Sequence, residues 1–202
     1  MVIGRINSAV SRPLVWLVFR PEVHVHGRIP EGGCVISANH LSGFDAWALT
    51  YVVRSRPLRS MGKNALFTRP FLARLIRSLG AFPARSQGSL AGGVPVAAEL
   101  AAAGEPVVIL PEGARRRGTV RRPRHGAART ALLAGVPLVP VALAGTDGWR
   151  DCDRWQIAVG EPVYLDDLRS QDTEGAVREA TKRLWTQIRA LEDELARAGA
   201  AA

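Results

Sequence analysis

Cysteine is scarce in this sequence, which has two, Cys34 and Cys152, among 202 residues. Cys34 falls in a predicted buried strand and Cys152 in a predicted loop, so the two give neither a disulfide framework nor the spacing of a metal site. Val23–His26 alternates as a strand with two histidines, but no third metal ligand is near them in the sequence. We therefore expect no metal centre, and a reducing compartment.

Long apolar runs are also missing. The longest early run, Leu14–Phe19, is far shorter than the roughly 20 residues that a membrane-spanning helix needs, and no small-residue cleavage site follows it. The sequence therefore predicts neither a signal peptide nor a transmembrane helix, and it favours a cytoplasmic protein. The apolar positions of residues 1–20 have helical spacing between basic residues, which is typical of a helix in the membrane interface or of one packed on the protein's own core.

Neither a repeat nor a linker divides the rest of the chain. The chain has 202 residues, of which 47% are apolar. It is therefore long enough to bury a sizeable core as one domain. We therefore expect a single domain over residues 21–202, which ends in an amphipathic helix and is preceded by the segment 1–20.

Acidic residues are outnumbered, since 18 Asp and Glu face 27 Lys and Arg and the formal net charge is +9. Such a surplus attracts nucleic acid, anionic lipid or phosphorylated small molecules, and a merely solvated basic surface is the alternative. The densest basic cluster, Arg115–Arg124, has no interleaved aromatic residue, and no nucleic-acid recognition motif is present. We therefore expect an anionic membrane surface or a phosphorylated substrate, and no nucleic acid, as the partner.

Strand and helix patterns follow one another along the chain. Short apolar runs at Cys34–Ala38, Pro106–Leu110 and Pro137–Leu143 indicate buried strands, whereas Ala46–Val53 and Gly126–Ala134 indicate helices. The two prolines of the third run favour a position at the sheet edge or at a strand end. The repeated passage from strand to helix predicts an α/β sandwich.

His40 and Asp45 follow the first of these strands, in the segment Asn39-His40-Leu41-Ser42-Gly43-Phe44-Asp45. On one regular helix, side chains five residues apart point about 140° away from each other and could not meet. With His40 in the loop after the strand, and Asp45 near the start of the helix, they can converge. A carboxylate bound to one imidazole nitrogen leaves the other nitrogen free to take a proton from a hydroxyl. The alternative is a histidine that caps the helix or hydrogen-bonds in the core.

A second set of polar side chains follows the strand Pro106–Leu110. Glu112 and Arg115 come after this strand as His40 comes after the first. In an open α/β sheet, ligands gather at the carboxyl ends of the strands. The planar guanidinium group suits phosphate, because it donates two parallel hydrogen bonds. These residues therefore predict a binding site for a phosphate-bearing ligand near His40.

Four blocks of the sequence resemble, in order, those of the glycerol-3-phosphate and lysophosphatidic acid acyltransferase family. The first block of that family is Asn-His-x-x-x-x-Asp, and the third usually reads Phe-Pro-Glu-Gly-Thr-Arg-Ser. The corresponding segments here are Asn39–Asp45, Gly62–Leu66 with Gly80–Arg85, Leu110–Arg116, and Val136–Val141. The resemblance extends over about residues 22–165. It implies a single-domain α/β sandwich in which helices flank a central mixed, largely parallel sheet.

The resemblance implies an O-acyltransferase that needs no cofactor. His40 would be the general base and Asp45 its orienting partner, and the acceptor hydroxyl would attack an acyl thioester, acyl-CoA or acyl carrier protein, directly. The sequence agrees with a route without an acyl-enzyme, because it has no Gly-x-Ser-x-Gly motif and no cysteine paired with a candidate base. The implied acceptor is a lysophospholipid, above all 1-acyl-sn-glycerol-3-phosphate, at the inner face of the cell membrane.

The same resemblance assigns further site residues. Those expected at the acceptor and its phosphate are Lys63, Arg85, Glu112, Gly113 and Arg115. The fourth block would line the acyl side through Pro137, Val139 and Pro140. One departure concerns the acceptor, since Ala114 stands where the family usually has threonine. The alternatives are therefore the same chemistry on a glycolipid, an aminolipid or a specialised metabolite, and a non-catalytic lipid-binding relative.

Overall fold

The computed structural model describes residues 13, 16–53, 57–62, 64–78, 80–83, 90–113, 115, 122–148, 150, 153–169 and 173–200. The strands are β1 (Glu22–Val25), β2 (Cys34–Ala38), β3 (Arg59–Gly62), β4 (Ala81–Pro83), β5 (Pro106–Val108), β6 (Leu138–Ala144) and β7 (Gln156–Val159). The α-helices are α1 (Asp45–Ala48), α2 (Pro70–Ser78), α3 (Val94–Ala102), α4 (Gly126–Ala134) and α5 (Thr173–Ala200).

The strands form one seven-stranded sheet in the order β1-β7-β6-β2-β5-β3-β4. Of the described strand pairs, β6–β7 is antiparallel and the others are parallel. The prediction of an α/β fold with a mixed, largely parallel sheet is confirmed. Because β2 and β5 are parallel neighbours, their carboxyl ends lie at the same edge of the sheet, and the residues that follow them come together.

The sheet is buried on both faces. Successive residues of β2 point to opposite sides, so Val35 packs in a cluster with α3, α4 and α5, and Ile36 packs in a second cluster with α1 and Trp155. All of β2 is buried, which explains why its sequence is a continuous apolar run rather than an alternating one. The predicted apolar positions of the C-terminal helix, such as Leu184 and Ile188, are buried in the first cluster.

The helix predicted over Ala46–Val53 is shorter in the structure. The α-helix α1 ends at Ala48, and a 3-10 turn over Leu49–Tyr51 continues it. Leu49 and Tyr51 are buried, so the tighter turn still directs apolar side chains into the core. The tight turn therefore keeps the buried face that the apolar sequence predicted, although the α-helical geometry is lost.

Of the two positions predicted for Pro137 and Pro140, the sheet edge is wrong, whereas a strand end holds for Pro137, which directly precedes β6. Strand β6 lies between β7 and β2. The Pro140 carbonyl accepts a hydrogen bond from the Gly160 amide, 2.9 Å away and one residue past the end of β7. The backbone nitrogen and carbonyl of a strand residue point toward the same neighbouring strand. The side of Pro140 that lacks an N–H therefore faces β7 at the point where β7 ends, and no hydrogen bond to β2 is lost.

The segment 1–20 that the sequence sets apart is described only in part. Residues 1–12, 14 and 15 lie outside the described residues, and residues 16–19 are helical. Phe19 stacks on Trp155, with ring centroids 4.3 Å apart, so the end of this segment packs against the domain. Among the helices of the described part, none has the length and apolar character to cross a membrane.

Candidate active site

The loop that carries His40 is anchored to the sheet by Asn39. The Asn39 side chain donates from Nδ2 to the Leu143 carbonyl at 2.8 Å and accepts the Leu143 amide at Oδ1 at 2.7 Å. Both bonds are buried and cross from the end of β2 to β6. An amide side chain is needed here because it must both donate and accept, and no carboxylate does that. This pair fixes the direction in which His40 leaves the sheet.

His40 and Asp45 form the predicted pair. Nδ1 of His40 lies 2.7 Å from Oδ2 of Asp45. Because Asp45 also accepts bonds on both of its oxygens from other groups, it acts as an acceptor, and Nδ1 of His40 is the donor. The other imidazole nitrogen, Nε2, is thereby left as an acceptor. The His40 side chain is 18% exposed, and the Asp45 side chain is 1% exposed, so the dyad opens to solvent on the histidine side.

Asp45 is held by the loop rather than serving as a helix cap. Its Oδ2 accepts the amides of Leu41 at 2.8 Å and of Ser42 at 3.0 Å, and Oδ1 accepts the Thr146 hydroxyl at 2.7 Å. The N-cap residue of α1 is Phe44, which makes no side-chain cap bond. Asp45 therefore closes the loop back on itself, and this curvature brings it to His40.

Glu112 joins the second predicted segment to the first. It is buried, with 1% exposure, and its Oε1 accepts the backbone amide of His40 at 3.2 Å. Ser37 adds a second link between the strand ends, since its hydroxyl donates to the Ile109 carbonyl at 2.5 Å. The sequence assigned Glu112 to the acceptor, but in the structure its side chain lies beneath the His40 loop and is not among the residues that line the cavity described next.

A cavity of about 890 Å³ opens beside the dyad and is lined by His40, Gly113 and Arg115. Gly113 has φ +67°, a left-handed turn that glycine adopts without strain. A Cβ added at Gly43 would lie 2.8 Å from a terminal nitrogen of Arg115, so this guanidinium group rests across the loop of His40. The two segments predicted to meet therefore do meet at one cavity.

The rest of the cavity divides into a basic side and an apolar side. On the basic side, Arg124 is brought to the end of β5 by a 2.7 Å bond from its amide to the Pro111 carbonyl. The apolar side chains come from β3, α1, α2, α3, β5 and the turn before α2. They are Trp47, Leu58, Met61, Leu66, Ile76, Val94, Val108, Ile109 and Leu110. A polar head and an apolar chain can therefore occupy the cavity together.

The remaining predicted site residues lie elsewhere. Lys63 and Arg85 are outside the described residues. Val139 and Pro140 are buried in β6, and neither they nor Pro137 lines the cavity. The cavity geometry gives no support to their assignment to the acyl side, which stays a prediction.

Two residues of the site have no signal in the sequence, one behind Asp45 and one on the cavity wall. Thr146 reaches Asp45 from 101 positions away, and nothing in its neighbourhood resembles a motif. His125 lines the cavity, and its Nδ1 lies 3.0 Å from the Thr181 hydroxyl oxygen. A histidine just before a helix is common, so only the cavity distinguishes His125.

The model of the family described as Acyltransferase matches residues 20–144, which include the whole His40 loop, β5 and all of β6. The chain belongs to the acyltransferase family. This membership confirms the prediction, made from the four sequence blocks, that the chain is an acyltransferase.

Relatives of known name agree with the family. The 1-acyl-sn-glycerol-3-phosphate acyltransferase of Streptococcus pneumoniae (strain ATCC BAA-255 / R6) is 24% identical over 189 residues, which are 90% of this chain and 70% of that protein. The protein of the same name from Haemophilus influenzae (strain ATCC 51907 / DSM 11121 / KW20 / Rd) is 31% identical over 140 residues, which are 65% of this chain and 58% of that protein.

A solved structure shares the fold of this acyltransferase-family chain. The crystal structure of the 1-acyl-sn-glycerophosphate (LPA) acyltransferase, PlsC, from Thermotoga maritima superposes with a TM-score of 0.68 at 22% identity. The match covers 96% of this chain and 80% of that chain. The likeness shows that the two proteins share the α/β fold.

Proposed function

We propose that the protein transfers an acyl group from an acyl thioester to the free hydroxyl of 1-acyl-sn-glycerol-3-phosphate, which gives phosphatidic acid. The observation that carries this proposal is the cavity, which holds the free Nε2 side of His40 together with the guanidinium group of Arg115. The names of the relatives from Streptococcus pneumoniae and Haemophilus influenzae support the same acceptor.

The proposed reaction has one proton carrier. The acceptor hydroxyl oxygen attacks the thioester carbonyl carbon while its proton passes to Nε2 of His40. The buried carboxylate of Asp45, 2.7 Å from Nδ1, stabilises the imidazolium that forms. When the tetrahedral intermediate collapses, the carbon–sulfur bond breaks, and the leaving thiolate takes the proton from His40. No side chain is acylated in this route.

The acceptor phosphate is assigned to the basic side of the cavity. Arg115 and Arg124 both line it, and within the described residues neither guanidinium group pairs with a carboxylate. Two such groups can donate hydrogen bonds to a phosphate monoester and neutralise its charge, whereas a neutral head group has no charge opposite to theirs. Lys63 and Arg85 stay predicted members of this group.

The donor and the location belong to the proposal as well. The apolar walls from β3, α2 and α3 suit a fatty acyl chain. The carrier of that chain, coenzyme A or acyl carrier protein, is identified by offering both as donors in the assay. No cofactor takes part in the proposed route. A cytoplasmic position at the inner face of the membrane stays a prediction.

The acceptor class is tested with two lipids that carry the same acyl chain and a free hydroxyl. One is 1-acyl-sn-glycerol-3-phosphate and the other is the corresponding monoacylglycerol without phosphate, each offered with acyl-CoA and with acylated carrier protein. We expect kcat/KM to be about 100-fold higher for the phosphate-bearing lipid, because charge-assisted bonds contribute about 1.5–3 kcal/mol each. A preference for the neutral lipid would support the alternative acceptors, and no product from any pair would support a non-catalytic binding protein.

Arg115→Gln is expected to raise the KM for 1-acyl-sn-glycerol-3-phosphate by about 10- to 100-fold and to change kcat less. The guanidinium group lies in the cavity and its side chain is exposed, so the substitution removes charge without opening the core. Steady-state kinetics over a range of acceptor concentrations measure the effect. Arg178→Gln, at an exposed position of α5, is the control of equal charge. An unchanged KM in Arg115→Gln would contradict the phosphate assignment.

A further inference from the structure

The positive charge of the chain is concentrated in one stretch. Residues 46–98 contain eight Lys and Arg residues and no Asp or Glu. The whole protein has a net charge of +9, so this stretch accounts for nearly all of the surplus. It includes β3, α2 and β4, which form one end of the sheet. Of the four of these Lys and Arg residues that the structure describes, Arg59 pairs with Glu105, and Arg69, Arg74 and Arg77 lie in or just before α2. These three arginines give the surface at α2 a positive charge that attracts anions.

The helix α2 exposes large apolar side chains at this basic end. Phe71 and Leu75 lie one turn apart on the helix, so they share a face, and they are 84% and 46% exposed. Among the residues of α2, Ala73 is buried, and Leu72 and Ile76 are half-buried. The apolar arc of the helix is therefore wider than the contact that the domain makes with it.

Arginine side chains flank the exposed apolar face. Arg69, Arg74 and Arg77 are exposed, and Arg74, three residues after Phe71, is its neighbour on one side of the exposed face. The guanidinium carbon of Arg77 lies 5.5 Å from the centre of the Phe67 ring. Apolar side chains bordered by basic ones are the pattern of a helix that lies in the interface of a membrane with anionic lipids.

The same elements also form the wall of the cavity. Ile76 of α2, and Leu66 of the 3-10 turn before it (Asn64–Phe67), line the cavity. Leu66 is 45% exposed, and Trp47, on another part of the cavity wall, is 38% exposed. An apolar surface therefore runs from the cavity lining over the turn to the outer face of α2.

We infer that the turn Asn64–Phe67 and α2 form a docking surface for an anionic lipid bilayer. Phe71 and Leu75 enter the acyl-chain boundary, and the arginines contact the anionic head groups. An acidic carrier protein would match the positive charge of this surface, but unless it had a matching apolar pocket it would leave Phe71 and Leu75 exposed to water. A second copy of the chain would place like positive charges against each other. The docking surface is inferred from charge and exposure, and only its use in delivering a lipid acceptor to the cavity rests on the proposed function.

Vesicle flotation of the full chain tests the surface. The vesicles contain phosphatidylcholine alone or with phosphatidylglycerol, and they carry neither acceptor nor donor, so a wrong enzymatic assignment cannot alter the result. We expect Phe71→Ser with Leu75→Ser to weaken partitioning onto the anionic vesicles about tenfold or more. We expect Arg69→Gln with Arg74→Gln to weaken it by a similar factor on anionic vesicles and to have little effect on neutral ones.

Matched variants separate this surface from general effects. Leu133→Ser with Tyr164→Ser removes two equally exposed apolar side chains elsewhere, at 68% and 62% exposure, and should bind vesicles like the parent. Arg178→Gln with Lys182→Gln, at exposed positions of α5, should do the same for charge. Circular dichroism spectra and melting temperatures check that every variant is folded.

Three results would overturn the docking surface. The first is that Phe71→Ser with Leu75→Ser leaves partitioning onto anionic vesicles unchanged. If Trp16→Ser with Leu17→Ser then abolishes binding, the membrane contact lies at those residues and not at the docking surface. The second is that the parent sediments as a dimer and does not float with vesicles, and that Phe71→Ser with Leu75→Ser dissociates this dimer. The third is binding of an acidic carrier protein by the parent without any binding to vesicles.

Discussion

Replacing His40 by alanine is expected to lower kcat by about 10²- to 10⁴-fold while the protein stays folded. Nε2 of His40 is the proton acceptor of the proposed reaction, and among the described histidines only His40 bonds Asp45. The histidine stands in a loop and its side chain is 18% exposed, so its removal leaves no large cavity in the core. Acyl transfer to 1-acyl-sn-glycerol-3-phosphate measures the first effect, and thermal unfolding measures the second.

His26 provides the matched histidine control. Its Nε2 lies 2.9 Å from Glu194 on the surface, its side chain is 45% exposed, and it is not among the residues that line the cavity. His26→Ala should retain the activity of the parent and lose little stability, as surface ion pairs usually contribute less than about 1 kcal/mol. Full activity in His40→Ala would remove His40 from the mechanism and with it the proposed route.

Asp45→Ala is expected to lower both activity and stability, the latter by about 3–5 kcal/mol. The sequence, which places Asp45 only as a partner of His40, predicts a variant that folds normally. The structure changes this expectation, because Asp45 is fully buried and accepts bonds from the amides of Leu41 and Ser42 and from the Thr146 hydroxyl. Alanine would leave all of these donors buried without a partner, and each such group costs about 1–3 kcal/mol.

The two effects of Asp45 are separated by a second substitution. Asp45→Asn keeps the volume and one carbonyl oxygen, so it should lose less stability than Asp45→Ala, yet kcat should still fall about 10²-fold or more because the imidazolium loses its anion. Chemical denaturation and assays below each variant's melting temperature measure both. Asp166→Ala, an exposed aspartate paired with Arg169 at 3.2 Å, should change stability by less than about 1 kcal/mol. An Asp45→Ala protein as stable as the parent would contradict the buried network.

The elements next to the site could be predicted from the sequence because they depend on neighbouring residues. β2 is a short, largely apolar segment, all of which is buried in the structure. Such a segment is expected in the interior of a fold, because water would otherwise contact its apolar side chains. The convergence of His40 and Asp45 followed from chain geometry, since five residues with a glycine between them can close a loop. The structure adds that the closure is made by backbone amides that Asp45 itself accepts.

What the sequence left open depends on which strands are neighbours. Pro137 and Pro140 left a sheet edge and a strand end open, whereas the structure places Pro137 just before β6 and fits Pro140 inside the sheet beside the end of β7 at Val159. The assignment of Val139 to the acyl side stays a prediction, and Val139 is not among the residues that line the cavity. No periodicity within one segment specifies the segment across from it.

The sequence by itself determined where the strands lie, that a histidine and an aspartate share one tight loop, and that arginine and glutamate follow another strand. Only the tertiary structure decided that Glu112 binds the His40 loop across 72 positions and that Thr146 supports Asp45 across 101. The physical reason is that hydrophobic patterning records how deeply a residue is buried, whereas its neighbours depend on the order of the strands in the sheet. That order is set by the packing of the whole core, in which each segment contributes only part of the free energy.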